Sequence, residues 1–126
     1  MKAFYIPAFL LMFLLVVSVW VNSGVQRDTR QWLGAVDGMV EILEENEWSE
    51  IEKLILELYG KWDQRKTVFH MIMEHQDLDE AEKLFAGALA ACREQDSVEL
   101  HILLEQLRTQ ILFLAETQQA NIKNIL

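Results

Sequence analysis

Residues 3–21, AFYIPAFLLMFLLVVSVWV, contain no charged side chain, and after Lys2 the next charge is Arg27. At ~1.5 Å of rise per helical residue, such a run reaches roughly across a hydrocarbon core of ~30 Å. The chain must therefore place it in lipid or cover it. Tyr5 and Trp20 stand near its two ends, where amphipathic rings favour the membrane interface. Pro7 falls in the first turn, where a missing backbone N–H costs little. These features predict a membrane anchor over residues 1–24 and a separate helical domain over residues 25–126.

Two other fates stay open: a cleaved signal peptide and a buried core helix. Against cleavage, only Met1 and Lys2 precede the run, and the best small-residue site, Val21-Asn22-Ser23, lies beside Trp20. That is a poor match to the A-x-A type. No cysteine follows the run directly, which removes lipoprotein processing. For orientation, Lys2 and the α-amine balance Arg27 and Arg30, so the positive-inside count is a tie. The short head resembles a signal anchor, which predicts the N-terminus inside and the bulk of the chain outside.

All 20 acidic residues and all but one of the 11 basic residues follow residue 21, so the body is more acidic than the net charge of −9. A surface of that sign repels phosphate backbones and anionic lipid, and no nucleic-acid partner is expected. Cys92 is the only cysteine, so no intramolecular disulfide can form and an exported domain would depend on its core.

Beyond residue 22 there is no proline, no Gly/Ser-rich linker and no strand-like alternation; helical periodicity runs throughout. A first helix is predicted over residues 25–45, able to continue straight out of the anchor. Val25, Trp32 and Met39 alternate along it with Thr29, Val36 and Leu43 in one stripe. Gly34 and Gly38 either weaken this helix or let a neighbour approach. Asn46 reads as a left-handed residue just past its end. A second helix over residues 47–74 carries Trp48, Ile51, Ile55, Leu58, Trp62, Arg65, Phe69 and Ile72 at unbroken a/d spacing. A polar turn, 75–77, leads to a third helix over residues 78–93, with Leu78, Phe85 and Cys92 in one row and Ala81 and Ala88 beside it. Asp96 and Glu99 fit a capping box, and a fourth helix runs from Ser97 towards the C-terminus through Leu100, Leu104, Leu107, Ile111, Leu114 and Gln118. Ile122 and Ile125 extend it. ENEWSEIEKLILEL and EQDSVELHILLEQL form a faint repeat of acidic turn, cap and leucine-rich helix. The expected fold is all-α: a transmembrane helix followed by an antiparallel bundle of three to four helices, built as two α-hairpins.

The stretch EHQDLDEAE, residues 74–82, invites a chemical reading. Asp77 sits before the periodicity of the third helix with Glu80 three residues on, a cap with its capping-box partner. Asp79, Glu80 and Glu82 would then gather near the positive end of the helix dipole. The functional alternative uses Glu74, His75, Asp79 and Glu82 as oxygen and imidazole ligands for a divalent cation. The stretch has no glycine at a sharp turn and no D-x-[DN]-x-[DN]-G pattern, and His75 has no His or Cys four residues on. His70 with Glu74 and His101 with Glu105 are i, i+4 pairs of the kind found on solvated helix faces. Arg65 interrupts an apolar seam. It can pack its stem and extend its guanidinium to the rim, or pair with a buried carboxylate and fix register. Cys92 reads as a small buried hydrophobe, and Gly87 and Ala91 offer close helix approach. No phosphate-cradling glycine loop, nucleophile elbow or supported carboxylate pair is present in the sequence. No catalytic residue and no cofactor are therefore expected.

Several features in order resemble a known family: the short anchor, a turn followed by Trp48, then Trp62, Glu74-His75, Leu78-Asp79, Glu82 and the closing Asn124-Ile125-Leu126. The chain resembles the small membrane-anchored bacterial proteins grouped as domain of unknown function 4363, along essentially its whole length. Members carry Gly-Asp before the first tryptophan; Asn46-Glu47 stand there here, which implies the same turn with a weaker cap. The resemblance implies no activity, cofactor or catalytic residue. It does imply an integral-membrane partner, of the YetF-like type. The combined expectation is a non-enzymatic accessory or interaction protein on the outer face of a bacterial cytoplasmic membrane. The alternative is a ligand- or divalent-metal-sensing module at the membrane surface.

Overall fold

The apolar run and the first amphipathic stripe form one helix. In the computed structural model, which describes residues 2–125 apart from the side chains of Lys2, Phe4 and Ile125, α1 spans Lys2–Leu43 and passes residue 24 without interruption. The expectations on Met1, on the Lys2 charge and on the terminal Ile125-Leu126 lie outside the described residues. Three further helices follow: α2 (Trp48–Ile72), α3 (His75–Arg93) and α4 (Ser97–Ile125). α1 packs on α2 and α4, and α3 packs on the same two, so the helices form a four-cornered, up-and-down bundle of two α-hairpins.

The heptad rows face inward. Val25, Trp32, Val36, Met39 and Leu43 of α1 meet Ile51, Ile55, Leu58, Trp62 and Phe69 of α2. Leu78, Ala81, Phe85, Ala88 and Cys92 of α3 and Leu100, Leu104, Leu107, Ile111 and Leu114 of α4 close the other side. Trp62 is the hub: its ring centroid is 5.7 Å from those of Trp32, Phe69 and Phe85. Tyr59 lies 5.2 Å from Phe85. Edge and tilted aromatic pairs of this kind add about 0.5–1.5 kcal/mol each beyond their buried area. Two core positions are polar. Thr29 returns its hydroxyl to the Val25 carbonyl at 2.8 Å, and Gln118 is buried near the end of α4.

The two turns at the end of the bundle away from the apolar run share one device. Asn46 and Gln95 occupy equivalent places in the sequence repeat and both adopt left-handed backbone, φ 56° and 58°. The helices after them, α2 and α4, start at equivalent residues, Trp48 and Ser97. At the second turn the Asp96 carboxylate accepts the Glu99 N–H at 3.1 Å, as the capping box requires. At the first, Glu47 makes no side-chain cap.

The third helix begins earlier than its apolar period suggests. Met73 and Glu74 alone are extended, and α3 starts at His75, so Asp77 lies inside the first turn and is not the cap. Glu74 precedes the helix with no side-chain cap of its own. Of the glycines, Gly34 and Gly38 have open space around them, so they weaken α1 without admitting a neighbour. Gly87 does bring α3 close to Leu103 of α4, where an added Cβ would sit 3.4 Å away.

Below the bundle α1 runs on alone. From Tyr5 to Leu14 its large side chains are exposed, and only 6% of its most apolar stretch is buried, which excludes a covered core helix in this fold. It is long and apolar enough to cross a membrane, a property it shares with signal sequences. Val17, Ser18 and Val21 line a groove with Ile72 of α2 and Asn121 and Ile122 of α4, and Val21 packs on the core.

Candidate functional site

The α2–α3 turn lies at the end of the bundle from which the apolar part of α1 emerges. Because α2 stops at Ile72 and α3 starts at His75, the last turn of one helix faces the first turn of the next. This places the His70 and His75 rings 4.7 Å apart, with their Nδ1 atoms 2.7 Å from each other. One of these nitrogens must donate and the other accept, so the contact needs at least one imidazole with a free Nδ1 lone pair. The sequence reading paired His70 with Glu74, but Glu74 has left the helix and the i, i+4 geometry is lost. His101 and Glu105 remain on one exposed face, 3.9 Å apart.

Glu82 takes no part in this histidine contact. Its Oε1 accepts from the Lys66 ammonium at 2.6 Å and from the Trp62 indole N–H at 3.3 Å. The Lys66 hydrogen bond holds the Glu82 carboxyl below the usual carboxylate range, against the opposing pull of desolvation. The same bond raises Lys66 above its ordinary value. Glu74 and Asp79 are exposed, while Asp77 is half-buried and its carbonyl accepts from Gln110 of α4 at 2.8 Å. The four residues considered for a cation thus diverge: His75 to His70, Glu82 to Lys66 and Trp62, Glu74 and Asp79 to solvent. Among the described residues, no group of three or more His, Cys, Asp or Glu side chains could hold a metal ion.

Arg65 resolves into an ion pair. Its Nε lies 2.6 Å from Asp28 of α1, whose side chain is only 13% exposed, and its guanidinium reaches within 3.3 Å of where a Cβ on Gly24 would stand. The pair ties α2 to α1 just above the point where α1 leaves the bundle. Cys92 is buried, and burial pushes its thiol up, away from the reactive thiolate. Its Sγ points at the Trp48 carbonyl, 3.6 Å away.

Sequence reasoning missed the histidine contact, since an i, i+5 pair meets only if a helix breaks between its members. It also missed Asp28 as the partner of Arg65; the charge was visible but the register between α1 and α2 was not. Asn22 carries a further unpredicted feature: its Oδ1 is buried with no hydrogen-bond partner. No curated protein and no solved structure matches the chain. A family match does span most of the helical body, residues 19–125, and the chain accordingly belongs to the family described as Domain of unknown function (DUF4363).

Proposed function

We propose that this protein is a non-enzymatic, membrane-anchored helical accessory protein. Its bundle would stand outside a bacterial cytoplasmic membrane and act with an integral-membrane partner. The observation that carries this is the continuity of α1, whose apolar N-terminal part and bundle-forming part are one helix. Signal-peptide cleavage at residues 21–23 would remove Val17 and Ser18, which line a groove at the bundle end, and Val21, which packs on the core. Such a helix couples the bundle rigidly to whatever surrounds the span. The candidate reactive groups are committed to structure: Cys92 is buried, and Glu82 is held by Lys66 and Trp62. That supports a binding role over a catalytic one.

The test is chemical crosslinking in native membranes, followed by gentle detergent extraction and measurement of the intact mass of the purified chain. Retention of the apolar segment together with a crosslinked membrane protein is the expected result. A lone monomer, or a chain beginning after residue 21, would overturn the proposal.

The histidine contact favours one second reading, a module that senses a ligand or a divalent metal. It would keep His75 of the four residues first considered and join it with His70 in place of Glu74, Asp79 and Glu82. Thermal unfolding with Zn²⁺ against chelator decides it, because an ion at about 100 times its Kd would add ~2.7 kcal/mol to stability. No shift, or an equal shift in His70→Ala, would sink it.

A further inference from the structure

We infer that the lower end of the bundle is immersed in the headgroup region of the bilayer that α1 crosses, and does not stand clear of it. This rests on the reading of α1 as an uncleaved span. The inference follows from length. Residues 3–16 are the part of α1 below its first contacts with the bundle, and at ~1.5 Å per residue they reach about 21 Å. A hydrocarbon core of ~30 Å is not crossed by that length. It is nearly matched when residues 17–21 are included, at about 28 Å. Those residues are level with the last turns of α2 and α4: Val17, Ser18 and Val21 line one groove with Ile72, Asn121 and Ile122. Sinking one therefore sinks the others.

The side chains at this level suit the interface. Trp20 is 76% exposed and Met71 is 79% exposed, both at the height where lipid would meet them. Tryptophan is favoured at that depth. The last turns of α2 and α4 at this level carry little charge. Residues 67–73 contain no Asp, Glu, Lys or Arg, and residues 117–125 contain only Lys123. Glu74 and Asp77, in and just beyond the turn, are the first carboxylates along the chain after α2, at the headgroup rim. Glu74 lies in the α2–α3 turn at this same end of the bundle, so immersion sets its exposed carboxylate among the headgroups.

The experiment uses the full chain with Cys92→Ala, carrying single Phe9→Cys, Met71→Cys, Ile122→Cys or Val98→Cys substitutions. Each is labelled with an environment-sensitive fluorophore and reconstituted in phosphatidylcholine vesicles containing spin-labelled lipid. Met71 and Val98 are exposed and Ile122 is half-buried, so the labels leave the core intact. Val98 lies at the opposite end of the bundle, beside Ser97 and Asn46, and serves as the water-side control. Lipid quenching at Phe9→Cys, Met71→Cys and Ile122→Cys with none at Val98→Cys is expected. Quenching at Phe9→Cys alone would keep the span and overturn the immersion. Failure to quench Phe9→Cys would overturn the span and the immersion together. Quenching at Val98→Cys as well would mean that the bundle lies flat or unfolded on lipid, which also overturns it.

Discussion

At the scale of single residues, the clearest consequence concerns Glu82. Its carboxyl is held below the usual range by Lys66, so the folded state binds a proton there less readily than the unfolded chain does. The contribution to stability is therefore complete above the ordinary carboxylate range and is lost as pH falls through the lowered value. Glu82→Gln should flatten the loss of Tm on acidification from neutral pH, compared with the wild type. An unchanged acid limb would mean that the Lys66 contact carries no stability. The mirror effect at Lys66 is a loss as pH rises through its raised value. Both Glu82 and Cys92 were visible in the sequence, and the two differ instructively. Cys92 was legible because its heptad position decides its burial. Glu82 was not, because its partners lie on α2, and which faces of α2 and α3 meet depends on a turn that the sequence places two or three residues too late.

That turn belongs to the scale of elements. Apolar periodicity locates the interior of a helix well and its first turn badly, since His75 and Gln76 carry no periodic signal while still being helical. The capping box at Asp96 was legible because it is a side-chain motif with fixed spacing, and its hydrogen bond is present. Asp77 had the same spacing to Glu80 but lies one turn inside. The pair makes a direct comparison: Asp96→Ala should cost about 1 kcal/mol through the lost cap. Asp77→Ala should cost less, roughly 0.3–0.5 kcal/mol, because a first-turn carboxylate keeps only its interaction with the helix dipole. Equal losses in urea unfolding would contradict the assignment of the α3 start. On α1, Gly34 and Gly38 have free space where a Cβ would go. Gly34→Ala and Gly38→Ala should each raise stability by about 0.5–1 kcal/mol, since glycine in a helix interior carries an entropic cost. A loss at either site would indicate that a partner helix uses that bare surface.

At the scale of the whole molecule, the four stripes, the left-handed Asn46 and the doubled hairpin design were all readable from residue types and spacing. What could not be read was where the apolar part of the chain ends and the bundle begins, because composition places a boundary near residue 24 and packing does not respect it. Val21 is half-buried against the core, and Asn22 is partly covered as well, both on the N-terminal side of that boundary. A fragment beginning at Val25 would start at a residue that is fully buried in the intact chain. It would leave Val25 at a frayed helix end and uncover the inner sides of Ile72 and Ile122. A fragment beginning at Ser18 keeps Val21 and Asn22 without restoring most of the apolar run. Partial burial of one valine and the neighbouring side chains predicts that the longer fragment is more stable by about 1–2 kcal/mol. Urea midpoints at equal m-value measure the difference. Equal midpoints would mean that residues 18–24 contribute nothing to the fold, and the bundle would then be as sound after signal-peptide removal as before it. A higher midpoint for the longer fragment would mean that these residues belong to the bundle as well as to the apolar run, so that cutting between them damages the fold.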